Sequence, residues 1–118
     1  MNKQLDLVTE FHRKFDTPIS DKPTLIPTDR SAFRHDMIEE EIKEYAEGVQ
    51  NQDIENIAKE LADIIYVTYG TILEHGLQDK FENIFEEVHR SNMSKTYHKY
   101  KVQKGDNFSK ADLKKLVD

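Results

Sequence analysis

The chain has 118 residues, 36% of them hydrophobic and 34% charged, with a formal net charge of −6 and no cysteine. That length suits one domain with a single modest core, expected to span residues 1–118. The acidic surplus argues against unspecific binding to nucleic acid or to an acidic membrane, because either requires a basic surface. Disulfides and thiolate metal sites are excluded. No apolar stretch approaches bilayer-spanning length. The N-terminus MNKQLDLVTEFHRKF lacks the apolar block of a signal peptide, so the expected location is the cytoplasm.

In chain order, Leu5, Val8, Phe11 and Phe15 recur at helical spacing and predict an amphipathic helix ending before Pro18. The stretch from Asp16 to Thr28 holds all three prolines and reads as an irregular strap. Thr28 or Asp29 is placed to cap a second helix with the stripe Phe33, Met37, Ile38, Ile42, Tyr45 and Val49, and Gly48 near its end. Asp53 suits the N-cap of a third helix and Gly76 its stop. In that helix Ile57, Leu61, Ile64, Thr68 and Ile72 form one row, and Ala58, Ala62, Ile65 and Tyr69 an adjoining one, so two broad sides favour burial. A fourth helix should begin near Gln78 or Asp79, its stripe Phe81, Phe85 and Val88 running on to Asn92 and Lys95. The remainder reads as a loop around Gly105 and a short helix capped by Ser109, with Asp112 in the capping-box position.

Two acidic pairs carry the chemistry. Glu41 and Glu44 lie three residues apart in EEEIKE, and Glu60 and Asp63 repeat that spacing in KELAD. Each pair shares a helix face. Packed together, such faces repel and raise their own pKa values, a conflict that a hard divalent cation resolves. Both pairs sit among core-directed residues, whereas a solvated acidic face would have polar neighbours. Mg²⁺, with Mn²⁺ as a substitute, favours oxygen ligands and leaves positions for water and substrate phosphates, which points to metal-dependent hydrolysis of a polyphosphate. Glu40 points about 100° round the helix from Glu41 and is the candidate to orient or deprotonate the attacking water.

Asn92 and Lys95 prolong an apolar row and either face a cleft, meeting sugar, base or phosphate, or fray into solvent, where a last-turn lysine complements the helix dipole. Lys104 beside Gly105 is a further candidate anion contact. Tyr66, Tyr69 and Phe85 either stack a nucleobase or belong to the core. The histidines show no duplicated ExxH arrangement, which disfavours a di-iron carboxylate bundle, and there is no P-loop.

EEEIKE, KELADIIYVTYGT and EVHRSNMSK together resemble the MazG-like, all-α nucleoside triphosphate pyrophosphatase superfamily. Its EExxE motif is matched by Glu40, Glu41 and Glu44 and its ExxD motif by Glu60 and Asp63. SNMSK, Ser91 through Lys95, looks like the phosphoribosyl-ATP pyrophosphohydrolase-like branch. The resemblance covers most of the chain. It implies an all-α bundle of four to five helices, assembled as a homodimer or a dimer of dimers. It further implies hydrolysis of a nucleoside triphosphate between its α and β phosphates to monophosphate and pyrophosphate, in a nucleotide pool-cleaning role. Mg²⁺ would be held at Glu41, Glu44, Glu60 and Asp63, with nucleotide contacts at Asn92 and Lys95. Nothing in the chain selects phosphoribosyl-ATP over a deoxy or non-standard nucleotide. The rival reading is a non-catalytic helical module that binds nucleotide or a partner around a structural Mg²⁺.

Overall fold

A computed structural model describes residues 2–98 and 101–118. The expected all-α class holds, with one short β-hairpin added near the C-terminus. The chain divides into two compact units, Met1–Leu77 and Gln78–Asp118.

In the first unit, α1 (Lys3–Lys14) is capped by the Asn2 side chain, which accepts from the Leu5 N–H at 2.7 Å. Leu5 and Val8 meet Leu73 in a small apolar core, against which Ile19 and Tyr69 pack. The expected stripe is only half correct. His12 is buried on this face, whereas Phe11 and Phe15 remain 42% and 58% exposed and form an aromatic rim with Tyr66.

α2 (Thr28–Gln50) and α3 (Ile54–Glu74) are the main helix pair. Neither Thr28 nor Asp29 caps α2. Pro27 occupies the N-cap without a side-chain bond, and its fixed φ starts the helix at Thr28 itself. Asp53 caps α3 as expected, accepting from the Asn56 N–H at 3.2 Å. The two helices run antiparallel: Arg34, early in α2, reaches Glu74 at the end of α3, and Gly48, late in α2, faces Ile57 early in α3. A Cβ at Gly48 would already touch Asn56 and Ile57, so glycine permits this approach near the turn.

The proline strap behaves as a connector with a definite task. Ser20 N–H donates to the Leu73 carbonyl at 2.9 Å, Ser20 Oγ donates to that of Glu74 at 2.7 Å, and Thr24 N–H donates to that of His75 at 2.8 Å. The strap thus supplies donors to carbonyls at the end of α3, where partners within the helix run out. Gly76 (φ +68°) ends the helix as expected, and a Cβ there would collide with the Lys22 backbone.

Between α2 and α3 lies a buried ionic group. Glu74, 1% exposed, accepts from Arg30 Nε at 3.0 Å and Arg30 Nη2 at 2.7 Å, and Arg34 Nη1 lies 3.2 Å from its Oε2. Arg34 also donates to the Val67 carbonyl at 2.6 Å and to Thr71 Oγ1 at 3.0 Å. A Cβ on Gly70 would fall 2.4 Å from Arg34 Nη2 and 2.8 Å from His12 Nε2, so this glycine makes room for both side chains. His12 Nδ1 lies 3.0 Å from the Pro18 carbonyl, to which the neutral ring donates.

The second unit contains α4 (Phe81–Met93), the antiparallel strands β1 (Thr96–His98) and β2 (Lys101–Gln103), and the single turn α5 (Lys114–Val117). α4 starts after Lys80, later than expected, and turns Ile84 and Ser91 inward, leaving Phe85 and Val88 exposed. It ends at Met93 with Ser94 as C-cap, so Lys95 lies beyond the helix. The hairpin replaces part of the expected loop. A Cβ at Gly105 would run into Thr96 Oγ1, so this glycine lets the returning chain pass β1 closely. Ser109 does not cap α5, whose N-cap is Leu113. The Ser109 N–H instead donates to Ser94 Oγ at 2.7 Å, while the Asp112 N–H donates to Glu87 Oε2 at 2.7 Å. Arg90 completes this latch through Glu87 and Ser109, and Glu87 is held down at about 2 by Arg90 and the Asp112 amide. Expectations drawn from local capping patterns fail here because the latch claims both residues.

Burial holds His12 below its ordinary 6.5, outweighing the Pro18 bond, and Arg34 lowers it further. Below about pH 6.5 the unfolded chain takes up a proton that the folded ring resists, so this contribution to stability is lost as pH falls. Urea unfolding from about pH 8 to about pH 5.5 should show that loss in the wild type and a flatter profile in His12→Gln.

Candidate metal centre

The antiparallel pairing of α2 and α3 brings the two acidic motifs together. Carboxylate oxygens of Glu41, Glu60 and Asp63 all lie within 4.8 Å of one another. Glu60 is 4% exposed, and Glu41 and Asp63 are half-buried. Glu44 stands beside this group within hydrogen-bonding reach of Glu60 and Glu41. Glu40 is exposed and shares a shallow acidic groove along α2 with Asp36, Glu39, Lys43, Glu44 and Glu47.

The cluster is electrostatically uncomfortable. Burial pushes Glu41 up to about 7, reinforced by hydrogen bonding with Glu60 and by the charges of Glu44 and Asp63. Glu44 is also raised, chiefly through Glu60. Burial would raise Glu60 as well, but hydrogen bonds with Glu41, Glu44 and Lys59 leave it net below its ordinary value. One carboxyl of the group therefore keeps a proton near neutrality so that the next can ionise, as expected of closely held carboxylates.

Two oxygens inside the cluster, Glu41 Oε2 and Glu60 Oε2, are buried without a hydrogen-bond partner. Carboxylate oxygens only accept, so oxygens buried this close to other carboxylates without a donor call for a proton or a cation. The donor set consists of hard oxygens, which match Mg²⁺, Mn²⁺ or Ca²⁺ and not a soft metal. Opposed ligands of Mg²⁺ lie about 4.2 Å apart, so the cluster's span is close to what such an ion requires.

Lys59, not anticipated as part of the site, contacts two of its members. Its Nζ lies 2.8 Å from Asp63 Oδ2 and 3.3 Å from Glu60 Oε1, and its pKa is raised, first by Asp63 and then by Glu60. The signal was present in KELAD, where a lysine sits next to one acid and four residues before the other.

Asn92, Lys95 and Lys104 belong to the second unit. Asn92 is exposed, and its carbonyl accepts from the half-buried Lys95 N–H at 3.1 Å. Lys104 is exposed, with Nζ 5.1 Å from the centre of the Phe108 ring. Of the aromatic candidates, Tyr69 packs on the core and its hydroxyl accepts from Asn2, Tyr66 joins the Phe11 rim, and Phe85 is exposed.

The phosphoribosyl-ATP pyrophosphohydrolase family model matches residues 8–92, a stretch that includes both acidic motifs. The chain belongs to that family. With it comes membership of the MazG-like all-α nucleoside triphosphate pyrophosphatase superfamily, and a pyrophosphohydrolase activity on a nucleotide-like substrate. No curated protein matches the chain. Among the described residues no helix is long and apolar enough to cross a membrane.

Glu41→Gln removes a charge from the crowded cluster and lets an amide donate to Glu60. At about pH 8 without added metal, the variant should be more stable than wild type by on the order of 1 kcal/mol, or about 4 °C in melting temperature. Thermal melting in a chelator checks this.

Proposed function

We propose that this protein is a Mg²⁺-dependent nucleoside triphosphate pyrophosphohydrolase that cleaves a deoxy or non-standard nucleotide between its α and β phosphates, working in the cytoplasm on the free nucleotide pool. One observation carries the reading. In a family of pyrophosphohydrolases, the acidic motifs of this chain converge through Glu41, Glu60 and Asp63 and leave buried carboxylate oxygens without a protein partner.

Glu41, Glu60 and Asp63, with Glu44 alongside, would hold the ion. When bound, Mg²⁺, or Mn²⁺ in its place, supplies polarisation of phosphoryl oxygens and neutralises charge on the leaving group. Glu40 lies in the exposed groove next to Glu44, where water reaches it, and is assigned the proton of the attacking water. The water oxygen bonds to one phosphorus of the α–β bridge, the bridging P–O bond breaks with its electron pair going to the bridging oxygen, and monophosphate and pyrophosphate separate.

Asn92 and Lys95 are assigned as nucleotide contacts, a role supported by the likeness of SNMSK to the family, and Lys104 as a further anion contact, supported by its exposed ammonium beside Gly105. We assign the whole of 1–118 to one catalytic domain, since the family match runs across the division at Leu77. Assembly as a homodimer or homotetramer is supported by large apolar side chains left nearly half-exposed or more on α2 and α3, including Ile42, Ile54, Leu61 and Ile65. The rows expected to be buried in one chain are covered only in part.

Incubation with Mg²⁺ and a panel of nucleoside triphosphates should yield monophosphate and pyrophosphate. Orthophosphate and diphosphate as products would overturn the assigned bond. Glu60→Gln and Asp63→Asn should each lower kcat at least about a hundredfold, and Glu40→Gln by about 10²-fold or more. All three should keep the helical circular dichroism of the wild type. Full turnover in either ligand variant would refute the site.

A further inference from the structure

Glu60 and Asp63 already carry a cation of the chain's own. Lys59 spans them, 2.8 Å from Asp63 Oδ2 and 3.3 Å from Glu60 Oε1. Its side chain is 66% exposed while that of Glu60 is 5% exposed, so the ammonium approaches from the solvent side. The inner oxygens, Glu60 Oε2 and Glu41 Oε2, accept no hydrogen bond from it and stay buried without a partner. One ammonium thus offsets part of the charge at the outer edge and leaves the inner conflict unresolved.

Such a contact is easily broken. A solvent-exposed ion pair adds little to stability. The order lysine first and acid four residues later is, moreover, the less favourable arrangement along a helix. Lys59 is therefore strong enough to neutralise the edge and weak enough to be displaced by a doubly charged ion, which interacts with each carboxylate about twice as strongly at equal distance.

We infer that Lys59 is an exchangeable counter-ion of the acidic cluster, holding Glu60 and Asp63 until a divalent cation claims them, so that its charge sets how tightly the site takes that cation. This rests on the metal-site reading above and deepens it by naming a positioning residue outside both acidic motifs. Once displaced, the ammonium stays at the mouth of the cluster, in reach of solvent and of an anionic substrate. The nearby positive charge also raises the concentration of divalent cation at which the site fills.

The test is calorimetric titration of the full chain with Mn²⁺, without nucleotide, on wild type, Lys59→Met and Lys59→Arg. Lys59→Met should bind Mn²⁺ about three- to tenfold more tightly than wild type, with the gap shrinking as salt rises. Lys59→Arg should stay near wild type. Lys59→Met should also melt at a lower temperature in chelator and gain more from saturating Mn²⁺ than wild type does. Lys59→Gln is neutral but still able to donate, and should show the same tightening, which keeps the test decisive if the methionine variant does not fold. Equal or weaker Mn²⁺ binding in the neutral variants would overturn the counter-ion role and leave the metal site standing. A wild-type chain that takes up no Mn²⁺ would overturn both.

Discussion

The antiparallel contact between α2 and α3 must accommodate two sets of buried charge, and it treats them in opposite ways. Near the start of α2, Glu74 is enclosed by the guanidinium groups of Arg30 and Arg34, and Arg34 also donates to the Val67 carbonyl and to Thr71. Further along, Glu41, Glu60 and Asp63 meet, and among the described residues only the exposed Lys59 is ion-paired with them. Burying ions is costly unless their hydrogen bonds are met within the protein. The first set meets that condition and the second does not.

This difference gives the two clusters different work. The Glu74 group fixes the register of the helices, since shifting α2 along α3 would part Arg34 from its acceptors and leave charges buried alone. Gly70 admits Arg34 and His12 to the same place, and the strap ties off the end of α3. With register fixed there, Glu41 is delivered opposite Glu60 farther along the same pair. Stability at one end thus supports an unstable arrangement in the middle, where unmet oxygens and a carboxyl raised to about 7 are held close together.

Helices were legible wherever local chemistry decided them. Asp53 bounds α3 through its side-chain acceptor and Gly76 through its freedom at positive φ, and the prolines between α1 and α2 prevent a continuous helix. The acidic motifs were legible for a similar reason, since a spacing of three within a helix puts two carboxylates on one face whatever the surroundings. Sequence pattern failed where distant residues compete for one group. Ser109 and Asp112 suit a helix cap, yet Ser94 and Glu87 bind their amides instead. Phe11 suits the core, yet His12 takes the buried position because Arg34, Gly70 and Pro18 shape a polar niche for it.

The sequence by itself determined the helical class, the chain breaks, the two acidic pairs and the family, because each depends on residues within a few positions of one another or on an ordered string of motifs. Tertiary structure alone decided that Glu41 meets Glu60 and Asp63, that Glu44 stands beside that group and Glu40 outside it, and that Lys59 bridges its edge. Those relations follow from how far α2 slides along α3. That offset is set by burial of Glu74 with its two arginines, a contact between residues distant in the chain that no local spacing encodes.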